Sequence, residues 1–269
     1  MESVFIFKDT IISIFIISLV IGLIGSIVVL KNVTSVAGSI SHAILGSIGL
    51  ASFFNLNPWI VNIPFALAIG LAFFYIKIIL NNKDDYITSI IWSLGASIGI
   101  ILLYLSKNKS LAISTYLFGN ILLVSPIDNL INFGLLILVL LFFLFFGEEI
   151  KISILDEEYA KTLNLNTNLI TFLAYLLISL SVVILVKSLG IILLIALFSI
   201  PSLIALKLSK NFYTMILLSI VISLISFILG FLLSFKFDLP LSSLITLILI
   251  VFFIFSNYII IYFRNYRKN

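Results

Sequence analysis

Apolar residues run through this chain in long unbroken stretches, with polar residues confined to short clusters between them. The runs are Thr10–Leu30, Val36–Phe54, Trp59–Leu80, Ile87–Leu105, Leu111–Val124, Leu130–Gly147, Leu169–Val186, Leu189–Leu206, Phe212–Phe235 and Leu241–Phe263. Most are close to the roughly 20 residues an α-helix needs to cross a bilayer. Their connections are brief: Lys31-Asn32, Asn55–Asn57, Asn81–Asp85, Ser106–Lys109 and Lys236–Asp238. Thr10–Leu30 is too long for a signal-peptide core and is followed by no A-x-A-like cleavage site, so it reads as the first membrane helix. The pattern predicts an all-α polytopic membrane protein, a single domain over 1–269, whose length accommodates eight or nine transmembrane helices.

Two stretches break the pattern. Leu111–Val124 is short and carries Ser114, Thr115, Tyr116, Gly119 and Asn120. It reads either as a tilted span or as a re-entrant half-helix, which is tolerated where protein or a cavity surrounds it. As a span it implies nine crossings and a cytoplasmic N-terminus; as a re-entrant helix, eight and an external one. Glu148–Asn168 is acidic at its start and polar throughout, and it alone is long enough to form a docking surface.

Composition supports the membrane assignment. Hydrophobic residues make up 62% of the 269 residues and charged residues 10%, with a mean hydropathy of +1.35. Soluble domains average about 45–50% apolar and about 25% charged residues, so no water-facing surface can be built here. The pI near 9.2 carries no nucleic-acid signal, because the basic residues are scattered between runs and gather only at the C-terminal end. Cysteine is absent, which excludes disulfides and thiolate metal sites. Arg264, Arg267 and Lys268 place the C-terminus in the cytoplasm by the positive-inside rule. Counting back from there puts Lys207, Lys210 and the Glu148–Asn168 segment on the same side, whereas the lysines of the first half divide almost evenly. Small residues recur at helical spacing in Ser18/Gly22/Ser26, Gly95/Gly99 and Ser219/Ser223/Ser226/Gly230, a pattern of close helix packing in lipid.

Candidate chemistry is sparse. All eleven carboxylates fall in or beside loops, and Lys77 and Lys187 lie near enough to span ends to snorkel. Only His42 sits well within an apolar run, and an intramembrane ionisable group is a functional candidate. Ser35, Ser39, His42, Gly46 and Gly49 share one helical face by their spacing. A neutral imidazole on such a small, polar track can ligate a passing divalent cation. The competing reading is a histidine bonded to a neighbouring helix on an ordinary packing stripe. No midplane carboxylate is present for proton or sodium coupling, and no G-x-x-x-x-G-K-[ST] phosphate loop for ATP hydrolysis. Energy then comes from elsewhere, or transport is passive, as in a channel; the polar segment Leu155–Asn168 reads either as the contact for a separate ATPase or as a plain solvated loop. One histidine without an acidic partner makes a poor catalytic set, so the chain does not read as an enzyme.

Five segments, in order along the chain, carry a family resemblance. Val36-Ala37-Gly38-Ser39-Ile40-Ser41-His42-Ala43 with Gly49 resembles the second-helix motif of the zinc/manganese/iron ABC permeases. Tyr116-Leu117-Phe118-Gly119-Asn120-Ile121-Leu122 with Val124, Ser125 and Asp128 is similar to their YLFGDIL-VS-D stretch. Asp156-Glu157-Glu158-Tyr159-Ala160 with Leu163 resembles their D-x-x-x-A-x-x-L-G cytoplasmic segment. Gly190–Ala205, ending Ala196-Leu197-Phe198-Ser199-Ile200-Pro201-Ser202-Leu203-Ile204-Ala205, looks like their vGillv-ALLiiPaatA helix, and Asp238-Leu239-Pro240 matches their external D-x-P.

The resemblance implies a type II ABC importer permease, similar in architecture to vitamin B12 and metal-chelate permeases, in the cytoplasmic (inner) membrane. It implies a homodimer served by two cytoplasmic ATPases and an external metal-binding protein, with zinc, manganese or iron as cargo and no resident cofactor. His42 and Ser39 would then lie on the metal pathway, and Ser35, Gly46, Tyr116 and Asn120 would line the pore. Asp156, Glu157, Ala160, Leu163 and Asn164 would couple to the ATPase. The sequence departs from the family pattern at Gly38, where most members carry Asp, at Leu45-Gly46-Ser47, and at Asn164, where they carry Gly. A secondary transporter or channel for a small solute, and an ABC permease for a metal chelate, are the alternative readings.

Overall fold

The computed structural model describes residues 7–80, 85–106 and 116–266. Nine α-helices are described: α1 (Lys8–Leu30), α2 (Thr34–Phe53), α3 (Pro58–Leu80), α4 (Asp85–Leu105), α5 (Pro126–Leu155), α6 (Glu157–Thr162), α7 (Thr167–Leu208), α8 (Phe212–Phe237) and α9 (Leu241–Tyr266). All but the short α6 are long and apolar enough to cross a membrane. A single 3-10 turn, Ile121–Leu123, precedes α5. Leu111–Thr115, the connections around Asn81–Asp84 and Lys107–Lys109, and the terminal Arg267 and Lys268 lie outside the described residues.

The most buried elements are α1, α2 and α7, and α7 is two helical arms. Its 42 residues are interrupted at Gly190, with φ 75° and ψ 161°. Both of its ends reach one end of α1: Lys31 donates to Thr171 in the first arm, and Leu30 lines a crevice with Leu206 and Ser209 beyond the second. The tip of α7, at Lys187, meets Asp128 at the opposite face. The chain therefore crosses at 167–189, reverses at Gly190, and returns at 191–208. Counting the arms separately gives nine crossings among the described residues.

Positive charge identifies the faces. Among the described residues Lys31, Lys77, Lys151, Lys161, Lys207 and Lys210 lie at one end of the bundle, against Lys8, Lys187 and Lys236 at the other. The first end is the cytoplasmic one. On that orientation α4 ends outside and α5 begins outside, and the described residues from Tyr116 to Ser125 lie at the outer face. The N-terminus is external, as a re-entrant reading requires, but the expected pairing of that reading with eight crossings is corrected to nine.

A second difference lies at Glu148–Asn168. The helix begun at Pro126 continues to Leu155, because Ile150 and Ser153 are still buried and Lys151 pairs with Glu148 at 3.0 Å. The cytoplasmic connection is thus confined to Asp156–Asn166. Small residues set the helix contacts, since they let backbones approach where lipid supplies no hydrophobic drive. Gly22 of α1 lies against Ile220 of α8, Gly25 against Ser202 of α7, and Ser202 and Ser219 share a 2.8 Å hydrogen bond.

Candidate functional site

The face predicted on α2 is a seam with α4. These helices run parallel, and their contacts keep register: Ser39 with Thr88, His42 with Trp92, Gly46 with Gly95, Gly49 with Gly99. A Cβ on Gly99 would lie 2.6 Å from the Gly46 nitrogen, so this approach requires glycine. Ser39 is fully buried and its hydroxyl donates to the Thr88 carbonyl at 2.7 Å. Gly46 faces the Gly95 carbonyl. Ser39 and Gly46 thus belong to the helix contact itself.

His42 stands at the edge of this seam, half-buried. Its Nδ1 is 3.0 Å from the Gly38 carbonyl, and its ring stacks on Trp92 with centroids 4.1 Å apart and planes 25° from parallel. A carbonyl only accepts, so Nδ1 is the donor in this contact, which leaves Nε2 as the nitrogen a ligand could meet. Gly38 is roomy: a Cβ there would meet only Trp92 and Ile195, at 3.9 and 4.0 Å. Trp92 was not among the residues singled out from sequence, and its role depends on an α2–α4 register that no local pattern encodes.

The other predicted residues lie elsewhere. Tyr116 borders an external cavity of about 340 Å³ with Trp59, Asn62 and Lys187. Exposed Asn120 caps the 3-10 turn by accepting from the Leu122 amide. Beneath that turn two glycines interlock, Gly119 at φ +66° and Gly190 at φ +75°, and a Cβ on either would strike the other's backbone. Asp128 is buried; one oxygen accepts from Ser125 and the other from Lys187 at 2.6 Å. Expected as a snorkelling lysine, Lys187 is therefore an ion-pair partner, and it also lies 5.8 Å from the Trp59 ring.

Exposed Ser35 is on the cytoplasmic side, where it shares a cavity with Glu157 of α6. Asp156 begins α6 by accepting from the Tyr159 amide at 2.9 Å, and Ala160 is fully buried while Leu163 is exposed. Lys161 bonds Glu157 at 3.0 Å and holds its carboxyl below the ordinary range, against the opposing effect of partial burial. Asn164 ends the helix at φ 57°, with its amide donating to Lys161 and the Leu165 amide to Ala160. That pairing is a Schellman closure, which needs a left-handed residue at the position Asn164 holds. Asparagine tolerates this conformation, which accounts for its replacing the family's glycine.

Among the described residues no group of three or more His, Cys, Asp or Glu is placed to hold a metal ion. A nine-crossing bundle with a capped cytoplasmic helix and an isolated imidazole on a packed seam defines a membrane-spanning transport subunit. The sequence profile of the ABC 3 transport family matches residues 3–260, and the chain belongs to that family. It is similar to an uncharacterised membrane protein of Synechocystis, 31% identical, covering 93% of this chain and 89% of that one. The manganese import system permease protein ScaB of Streptococcus gordonii is 30% identical, covering 94% and 90%. Among solved structures, PsaBC from Streptococcus pneumoniae in complex with Fab superposes with a TM-score of 0.82 at 29% identity, over 93% of this chain and 90% of that one. An inward-facing metal-chelate type ABC transporter shares the fold, with a TM-score of 0.69 at 19% identity, over 93% and 85%.

Proposed function

We propose that this chain, as one permease domain, carries a divalent metal ion through the membrane as the spanning subunit of an ATP-binding-cassette importer. Two copies enclose the path, an external binding protein delivers the ion, and separate ATPases dock at Asp156–Asn164 on the cytoplasmic face. Manganese is the first cargo to test, because the ScaB relative is a manganese import system permease protein and the Listeria innocua relative MntC, 29% identical, a manganese transport system membrane protein. Zinc and iron are the next.

The observation that carries the reading is His42, with Nδ1 fixed on Gly38 and Nε2 free to ligate. A single nitrogen binds weakly enough for the ion to leave, as conduction requires. The solvent-exposed α6, capped at both ends, is a preformed rigid surface for the ATPase.

The test is metal uptake in cells carrying the complete importer. His42→Ala is expected to lower uptake while protein level and ATPase association stay near normal. Gly38→Asp, which the open space at that Cβ accommodates, is expected to rebuild an Asp–His pair and alter metal preference or affinity. Uptake by His42→Ala at the wild-type rate across the whole metal concentration range refutes the role of the imidazole.

A further inference from the structure

On the cytoplasmic side, the ends of α1, α3 and α5 surround a cavity of about 420 Å³, closed by α6 and the first arm of α7. Its polar wall is Lys31, Ser35, Lys77, Ser153 and Glu157. We propose that this cavity binds a phosphate-bearing anion, with the Lys31 and Lys77 ammonium groups supplying the charge and the Ser153 hydroxyl a donor.

The charges decide the sign of the ligand. Lys31 and Lys77 have no carboxylate within ion-pair distance among the described residues, whereas Glu157, the cavity's acidic group, is already bound to Lys161. The two lysines disfavour a divalent cation, and although Leu30, Val33, Val36 and Ile154 also border the cavity, its charged and hydroxyl groups call for an anionic partner. The Ser153 residue is 5% exposed, and its Oγ has no hydrogen-bond partner. Buried hydroxyls are nearly always satisfied, so an unpaired one bordering a polar cavity marks a position where a ligand atom or water belongs. Lys31 is tethered by donating to Thr171 at 3.1 Å, which holds its ammonium in place before any anion arrives. Burial, and Lys77 nearby, push that ammonium down to about 8, a cost that a bound anion relieves.

Depth narrows the source. The cavity lies beside the cytoplasmic ends of α1 and α3, where spans of this length would reach the headgroups, and basic pockets between helices at that level accept anionic lipid headgroups. A lipid phosphodiester and free phosphate share the recognised chemistry. The inference needs only the cavity and its lysines, so it stands or falls independently of the metal reading.

Native mass spectrometry of the purified full chain, titrated with phosphatidylglycerol or phosphatidylcholine, reads binding directly. Thermal shift in sodium phosphate against sodium chloride at equal ionic strength reads the free ion. Wild type is expected to retain phosphatidylglycerol preferentially, and Lys31→Met/Lys77→Met to lose that preference by roughly tenfold or more, the loss expected for charge-assisted hydrogen bonds. Ser153→Ala is expected to weaken it a few-fold, and Lys77→Arg to keep it, so that a misfolded double variant still leaves two informative proteins. Stabilisation by phosphate in wild type but not in the lysine variants, without any lipid preference, assigns the site to the free ion. Equal retention of phosphatidylglycerol by wild type and variants, or no response to either probe, overturns the proposal.

Discussion

Gly95→Ala tests the α2–α4 seam that positions His42. The added Cβ would lie 2.8 Å from Ala43 Cβ and closer still to Ala43 Cα, within α2 itself. Carbon pairs settle near 3.5–4.0 Å, so the helices must part locally by about 1 Å. A gap of that size forfeits roughly a quarter to a half of each nearby contact, and overpacking in a tight core costs about 1–3 kcal/mol. The His42–Trp92 stack is one helical turn away and opens with the seam. The apparent melting midpoint of the detergent-solubilised protein should fall by roughly 2–12 °C, taking about 2–4 °C per kcal/mol for a chain of this size. Metal uptake should fall with it. Gly46→Ala is the control: its Cβ meets the Gly95 carbonyl at 3.4 Å, an ordinary contact, so melting should stay near that of wild type. If Gly95→Ala melts and transports like wild type, the two helices are not held at this distance and the seam does not position the imidazole.

Two further outcomes follow from the cytoplasmic side. Asn164→Ala places a side chain that disfavours the left-handed region at φ 57°, costing about 1–2 kcal/mol, whereas Asn164→Gly should be neutral. Co-purification with the ATPase should therefore weaken in the first and persist in the second, and equal recovery of both would disprove a role for the helix closure. Lys31 titrates near 8 in the folded chain against an ordinary 10.5, so from pH 8 to 10.5 the unfolded chain holds more protons and stability rises with pH. The melting midpoint of wild type minus that of Lys31→Met should climb across that window; a flat difference would show that burial does not disfavour its charge.

Much of the architecture is local and was legible without coordinates. Lipid imposes a length and an apolar composition on each crossing. The runs Leu169–Val186 and Leu189–Leu206 read correctly as separate crossings because each alone is long enough. His42 stood out for the same reason: a single ionisable group inside an apolar run is conspicuous in any one sequence. Asn164 was visible too, as a departure from the glycine of the resembled cytoplasmic segment, whereas the caps of α6 came from the structure.

What the tertiary structure decided depends on residues far apart. The parallel register of α2 and α4 joins His42 to Trp92 and makes Ser39 and Gly46 packing residues, because backbone approach is fixed by pairs of glycines fifty positions apart. Gly119 and Gly190 interlock at the outer face, and the number of crossings and the side of the N-terminus followed only once folding had gathered the lysines of separate helices at common ends. Lys187 read as a snorkelling lysine until Asp128, on another helix, came within 2.6 Å. The cytoplasmic cavity likewise takes one polar side chain from each of several helices, and only folding brings Lys31, Lys77 and Ser153 to a common wall. Hydrophobic length is set by the solvent and is visible residue by residue, whereas close contact and charge pairing are set by which helices meet.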